Sequence, residues 1–114
     1  GDALRQYIFI DDVIKMMTLL VSSTNLGNFS NSVYNICNPE PVTIRELAEM
    51  IGAYLQVPVY PGPNCNPHAA LSRVSVIPYR FTHLYPTFTF TPLSTGLKYA
   101  IDAASKSFPD LSPL

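Results

Sequence analysis

Eleven of the 114 residues are proline, and they gather after residue 57. Proline fixes its own φ, lacks an N–H and pushes the residue before it away from the helical region. The second half of the chain is therefore expected to consist of short pieces separated by turns. The first half has room for longer elements. Apolar residues make up 47% of the chain, enough to build a core and to argue against disorder. The length suits one modest domain spanning 1–114.

Charge is sparse and balanced, with 7 basic and 8 acidic residues and a net charge of −1. There is no basic patch of the kind that nucleic-acid binding requires. The longest apolar runs fall well short of the ~20 residues a membrane helix needs. No secretory leader is visible, so a cytoplasmic location is expected, with no membrane partner. Cys37 and Cys65 are expected to be two reduced thiols.

"RQYIFIDD" raises the first structural question. Gln6 to Ile10 reads as a strand, and Asp11 or Asp12 as the cap of the helix that follows. Val13, Met16, Met17, Leu20 and Val21 recur at helical spacing and form one apolar face. "TNLGNFSNS" is a polar loop, and Ser32 to Cys37 is the next strand. A strand–helix–strand order makes a right-handed parallel crossover the default expectation. The expected fold class is α/β: a small lobe with that parallel unit plus short strands and helices.

Asn38-Pro39-Glu40-Pro41 is a turn. Thr43-Ile44-Arg45-Glu46 is a capping box opening a helix. Ile44, Leu47, Ala48, Ile51 and Leu55 form its buried stripe. Val57 to Tyr60 reads as a short strand, "PGPNCNPHAA" as a loop and "LSRVSV" as an extended segment. Pro78 suits the first turn of a short helix ending near Leu84, and Pro86 stops it. "TFTFT" alternates in the manner of a half-buried strand. Thr91-Pro92 then opens a last helix with threonine as its cap. Leu93, Leu97, Ala100, Ile101 and Ala104 form its core face, and Phe108-Pro109 ends it.

Three ordered segments carry a resemblance. "GDALRQYIFIDDV" is similar to the G-D-x-x-R-D-F/Y-I-x-V-x-D-V stretch of the extended short-chain dehydrogenase/reductase family, the NAD(P)-dependent nucleotide-sugar epimerases and dehydratases. "VYNICNPEPVTIRELAEMI" resembles that family's V-Y-N-I-G-x-G-x-P-x-S/T-I-x-E-L-A-x-x-I. "TPLSTGL" resembles its closing L-x-x-G-L. The three cover residues 1 to about 105, and the middle segment is the most specific. The resemblance implies the C-terminal substrate-binding lobe of such an enzyme. An N-terminal Rossmann domain, in cis or trans, would be its partner and would hold NAD or NADP.

The residues agree that this chain alone lacks the redox machinery. Its glycines stand at 1, 27, 52, 62 and 96, so no closely spaced pair exists to turn around a pyrophosphate. The family's catalytic Tyr-x-x-x-Lys is also missing: Asp11, Asn38, Pro58, Asn64, His83, Thr89 and Ala103 stand four residues after the seven tyrosines. The chain is expected to bind no cofactor by itself and to contribute no catalytic residue.

The resemblance implies two substrate-binding residues. Arg5 matches the family arginine that approaches the nucleotide diphosphate, where a forked, permanently charged donor suits phosphate oxygens. Arg73 stands near the second phosphate arginine, although the family's R-x-G-D is missing there, and its later D-x-S-K is replaced by "SVIPYRF". Gln6 replaces the family's aspartate, and Cys37 stands where glycine is usual. From the residues alone, the leading reading of Arg5 is a surface arginine paired with a nearby carboxylate.

Asp11 and Asp12 read as junction residues rather than paired catalytic carboxylates. Asn38 closes the turn before Pro39, and Asn35 bonds locally. His68 and His83 are too isolated for a metal site. Two other functions fit the same segments: a sterol-type or other hydroxy-group dehydrogenase lobe, and a non-catalytic binding or assembly module derived from such a lobe.

Overall fold

The computed structural model describes residues 1–22, 33–63 and 75–108. It shows a small mixed α/β fold. The described elements are β1 (Leu4–Arg5), α1 (Ile10–Val21), β2 (Val42–Thr43), α2 (Ile44–Leu55), α3 (Tyr79–Leu84) and α4 (Leu93–Ser107). β1 and β2 pair antiparallel, with Leu4 opposite Thr43 and Arg5 opposite Val42.

The strand expected at Gln6–Ile10 lies elsewhere. β1 occupies Leu4–Arg5, residues 6–9 carry no ladder, and Ile10 already begins α1. Residues 33–37 and 57–60 likewise carry no strand. The described sheet is thus an antiparallel pair rather than a parallel crossover. A two-residue ladder leaves most of a strand's backbone groups without sheet partners, so the flanking segments depend on other contacts.

α2 forms as its local sequence dictates. The Thr43 hydroxyl accepts from the Glu46 N–H at 3.1 Å, and a Glu46 carboxylate oxygen accepts from the Thr43 N–H at 2.7 Å. That completes the reciprocal cap and satisfies two donors at the helix start. At the other end Gln56 adopts a left-handed conformation (φ 57°), and the Val57 N–H donates back to the Gly52 carbonyl at 2.9 Å. Gly52 is buried because the chain folds over it: a Cβ there would lie 2.5 Å from Val59 Cγ2 and 2.9 Å from the Val57 carbonyl oxygen. The Tyr54 hydroxyl donates to Asp102 at 2.5 Å, tying α2 to α4.

α1 and α4 are capped differently from expectation. The N-cap of α1 is Phe9 and that of α4 is Pro92, and neither helix has a side-chain cap. Asp12 and Thr91, read as caps, bond to each other instead. Asp12 is buried, and its two carboxylate oxygens accept from the Thr91 N–H at 2.7 Å and the Thr91 hydroxyl at 2.8 Å. The Thr91 carbonyl in turn accepts from the Asn38 side-chain amide at 3.4 Å. Asn38 does close its turn, with Oδ1 accepting from the Glu40 N–H at 3.0 Å.

Among the described residues the buried apolar side chains are Ala3, Met16, Val42 and Phe81, and Pro78 is fully buried as well. Phe81 packs edge-on against Phe88, and Phe88 against Phe90, with centroids 5.1 and 5.0 Å apart. The phenylalanines of "TFTFT" thus pack inward at alternate positions without forming a ladder. The Tyr85 hydroxyl donates to the Leu19 carbonyl at 2.8 Å, joining the end of α3 to α1.

Two outcomes are expected. Asp12→Ala leaves the half-buried Thr91 N–H without its acceptor and empties a buried position, and should cost about 1–3 kcal/mol in urea unfolding. Asp12→Asn, which keeps one acceptor, should cost less. Glu46 is held below the usual carboxylate range by its bonds from the Thr43 N–H and hydroxyl. A lowered folded pKa adds stability above the unfolded value and loses it as pH falls through the folded one. The unfolding-midpoint gap between wild type and Glu46→Ala should therefore be present at pH 7 and narrow below the ordinary glutamate pKa.

Candidate functional site

Arg5 is held on β1 in a half-buried position. Its only side-chain hydrogen bond among the described residues runs from one guanidinium nitrogen to the neighbouring Leu4 carbonyl, at 2.7 Å. The one ion pair found among those residues joins Arg45 to Asp2 at 3.2 Å, on the surface. No described carboxylate pairs with Arg5, and most of its donor fork is uncommitted. Arg73 lies outside the described residues, as do Cys65 and His68.

An open groove of about 1040 Å³ lies among the described residues. It is lined by the segment Tyr7–Asp11, by residues 89–92 and by α4 as far as Ala103. Phe9, Phe90, Leu93 and Leu97 are among its apolar lining residues, and Lys15 also lines it. Phe9 stacks on Tyr99, with ring centroids 5.8 Å apart. Phe9 also lies against Gly96 of "TPLSTGL", where a Cβ would stand at ordinary van der Waals distance, 3.4 Å, from the Phe9 side chain. Arg5 is not part of the groove lining.

α1 carries a second apolar surface beside this groove. Ile10, Ile14, Met17 and Val21 are 61%, 55%, 52% and 71% exposed, whereas Met16 is fully buried. Met17 and Val21 therefore do not share the core face with Met16 as their spacing implied. The exposed four follow one another at intervals of four, three and four, the spacing of a single helix stripe. Their sequence signal was present: apolar residues surround more of α1 than one face requires. Ile10 belongs to both stripe and groove, so the two are continuous.

The remaining polar candidates have ordinary roles. Asp12 is buried, and each of its oxygens accepts a hydrogen bond from Thr91, a structural role. Burial pushes the Cys37 thiol up, away from a reactive thiolate, and its Sγ contacts the Val76 carbonyl at 3.4 Å. Asn35 and His83 are exposed, with His83 tilted on Tyr79 at 6.3 Å. No group of three or more potential metal ligands occurs among the described residues. Nor is any described helix long and apolar enough to cross a membrane.

A dinucleotide does not fit these residues. α1 starts after an irregular segment, with Phe9 as N-cap and Asp11 and Asp12 in its first turn. Two carboxylates there would repel the pyrophosphate that such a helix end ordinarily attracts.

No protein-family model, curated protein or solved structure matches this chain. The functional reading therefore rests on the residues and their geometry.

Ile14 and Met17 leave about half of their surface in water, 55% and 52%. Ile14→Ser and Met17→Ser should therefore each cost only about 1 kcal/mol of unfolding free energy. Met16→Ser, one residue away and fully buried, should unfold at clearly lower urea.

Proposed function

We propose that this chain is the substrate-binding lobe of an NAD(P)-dependent nucleotide-sugar epimerase or dehydratase of the extended short-chain dehydrogenase/reductase type. The observation that carries this reading is Arg5: a strand-held guanidinium with no carboxylate partner among the described residues. A charged fork held in place and left unneutralised is what recognition of a diphosphate requires. The ordered motifs of the sequence supply the family, and Arg73 is the second arginine proposed for the phosphates.

In this reading the chain grips and orients, while a Rossmann domain supplies the dinucleotide and the tyrosine–lysine pair. The apolar groove and the exposed stripe of α1 are then the face against which that domain packs. Segments 6–9 and 33–37, which carry no ladder in this chain, would complete the parallel strand–helix–strand arrangement there. No acid, base or hydride step is assigned to residues of this chain.

The apolar lining of the groove favours a second reading, a sterol-type or other hydroxy-group dehydrogenase lobe. Such a ligand needs no diphosphate clamp, so Arg5 separates the two.

The discriminating measurement is a thermal-shift and calorimetric titration of the complete gene product with UDP- and dTDP-sugars. Binding should weaken roughly ten- to a hundred-fold in Arg5→Ala, as expected for loss of one charge-assisted contact. A protein that binds these ligands equally well without Arg5, or binds a sterol and no nucleotide sugar, would remove the first reading.

A further inference from the structure

Arg5 is the last residue of a strand only two residues long, and the chain beyond it has no ladder. The backbone that carries the guanidinium is therefore open to fraying on its C-terminal side. The side chain of Gln6 closes that end. Its Oε1 accepts from the Val76 N–H at 2.6 Å. Its Nε2 donates to the Val76 carbonyl at 2.7 Å and to the Asn38 carbonyl at 2.8 Å. The amide thus meets both main-chain groups of Val76, as a strand residue meets its partner across a ladder.

All three partners are backbone atoms from remote parts of the chain. Val76 is 70 residues away and Asn38 is 32. Asn38 is itself buried and bonded to Thr91, so the clasp is anchored in the fold. The chemistry is selective. Only a primary amide offers an acceptor and two donors in one plane. Asparagine is one methylene short, and ionised glutamate would face two carbonyl oxygens with no proton to give.

We propose that Gln6 is a positioning residue for anion binding by Arg5. Its amide adds a side-chain rung after β1 and holds the arginine-bearing backbone still, so that less order has to be imposed when a nucleoside diphosphate binds. This rests on the reading of Arg5 given above. Gln6 touches no ligand in this scheme and acts through its neighbour. Two of the positions at which the sequence departs from the resembling family, Gln6 and the segment beginning "SVIPYRF", meet in this clasp.

The test is a double-mutant cycle on the complete gene product, titrated with UDP by calorimetry, with amide hydrogen exchange measured at Val76. Gln6→Ala should speed Val76 exchange and weaken UDP roughly two- to tenfold, the scale of ordering one side chain. In an Arg5→Ala background the same change should weaken UDP no further. Gln6→Glu guards against simple misfolding. Its Val76 protection, corrected for intrinsic exchange, should be greater below the glutamate pKa, where the carboxyl regains a donor for a carbonyl, than above it, where only the bond from the Val76 N–H remains.

Faster Val76 exchange with unchanged UDP affinity would overturn the proposal, leaving the clasp merely structural. An equal loss of affinity with and without Arg5 would overturn it as well. A wild-type protein that ignores UDP would instead sink the reading of Arg5 and this proposal with it, while the Val76 exchange would still report the clasp.

Discussion

One buried carboxylate joins the separate parts of this small fold. Asp12 sits in the first turn of α1, and Thr91 lies just before α4, 79 residues later. Both oxygens of Asp12 are occupied by Thr91, and the Thr91 carbonyl reaches Asn38 beside the start of β2 and α2. A polar side chain can be buried this way because hydrogen bonds replace its lost water. Among the described residues few apolar side chains are fully buried. The polar junction and the cluster around Phe81 together position the helices.

With α1 and α4 fixed by that junction, the surfaces between and beside them follow. Phe9 lies against Gly96 of α4, and Phe9 with Tyr99 shapes the groove. The stripe Ile10–Ile14–Met17–Val21 projects from the other side of α1 and runs into the groove at Ile10. The reading as one lobe of a larger assembly supplies a reason for so much continuous apolar surface on so short a chain. Arg5 stands apart from that surface, so on this reading gripping an anion and docking a companion domain use different edges.

The elements whose signals are local were legible in advance. The capping box at Thr43 and Glu46 formed as read, because both partners lie within one helical turn. α3 and α4 begin within a residue or two of their prolines, since proline acts on its own and adjacent dihedrals. The burial alternation of Phe88 and Phe90 also survived, although no ladder formed. Strand positions fared worse. Whether Tyr7 to Phe9 pairs with anything depends on a neighbour that sequence spacing cannot specify. Arg5 was legible as a candidate through its motif, but its lack of a carboxylate partner was not. Gln6 looked like a mere departure from pattern until its partners 32 and 70 residues away were known.

The sequence by itself determined the capped start of α2 and the proline-marked starts of α3 and α4, the lack of closely spaced glycines and of a Tyr-x-x-x-Lys pair, and which side chains carry charge. Those properties depend on dihedral preferences, caps and residue identity over a few positions. Tertiary structure alone decided that Asp12 and Thr91 serve each other rather than their own helices. It also decided which of two apolar faces of α1 is buried and which main-chain groups the Gln6 amide meets. Each of those outcomes is a choice among partners that are chemically equivalent in sequence and differ only in which one the folded chain brings within hydrogen-bonding or van der Waals reach.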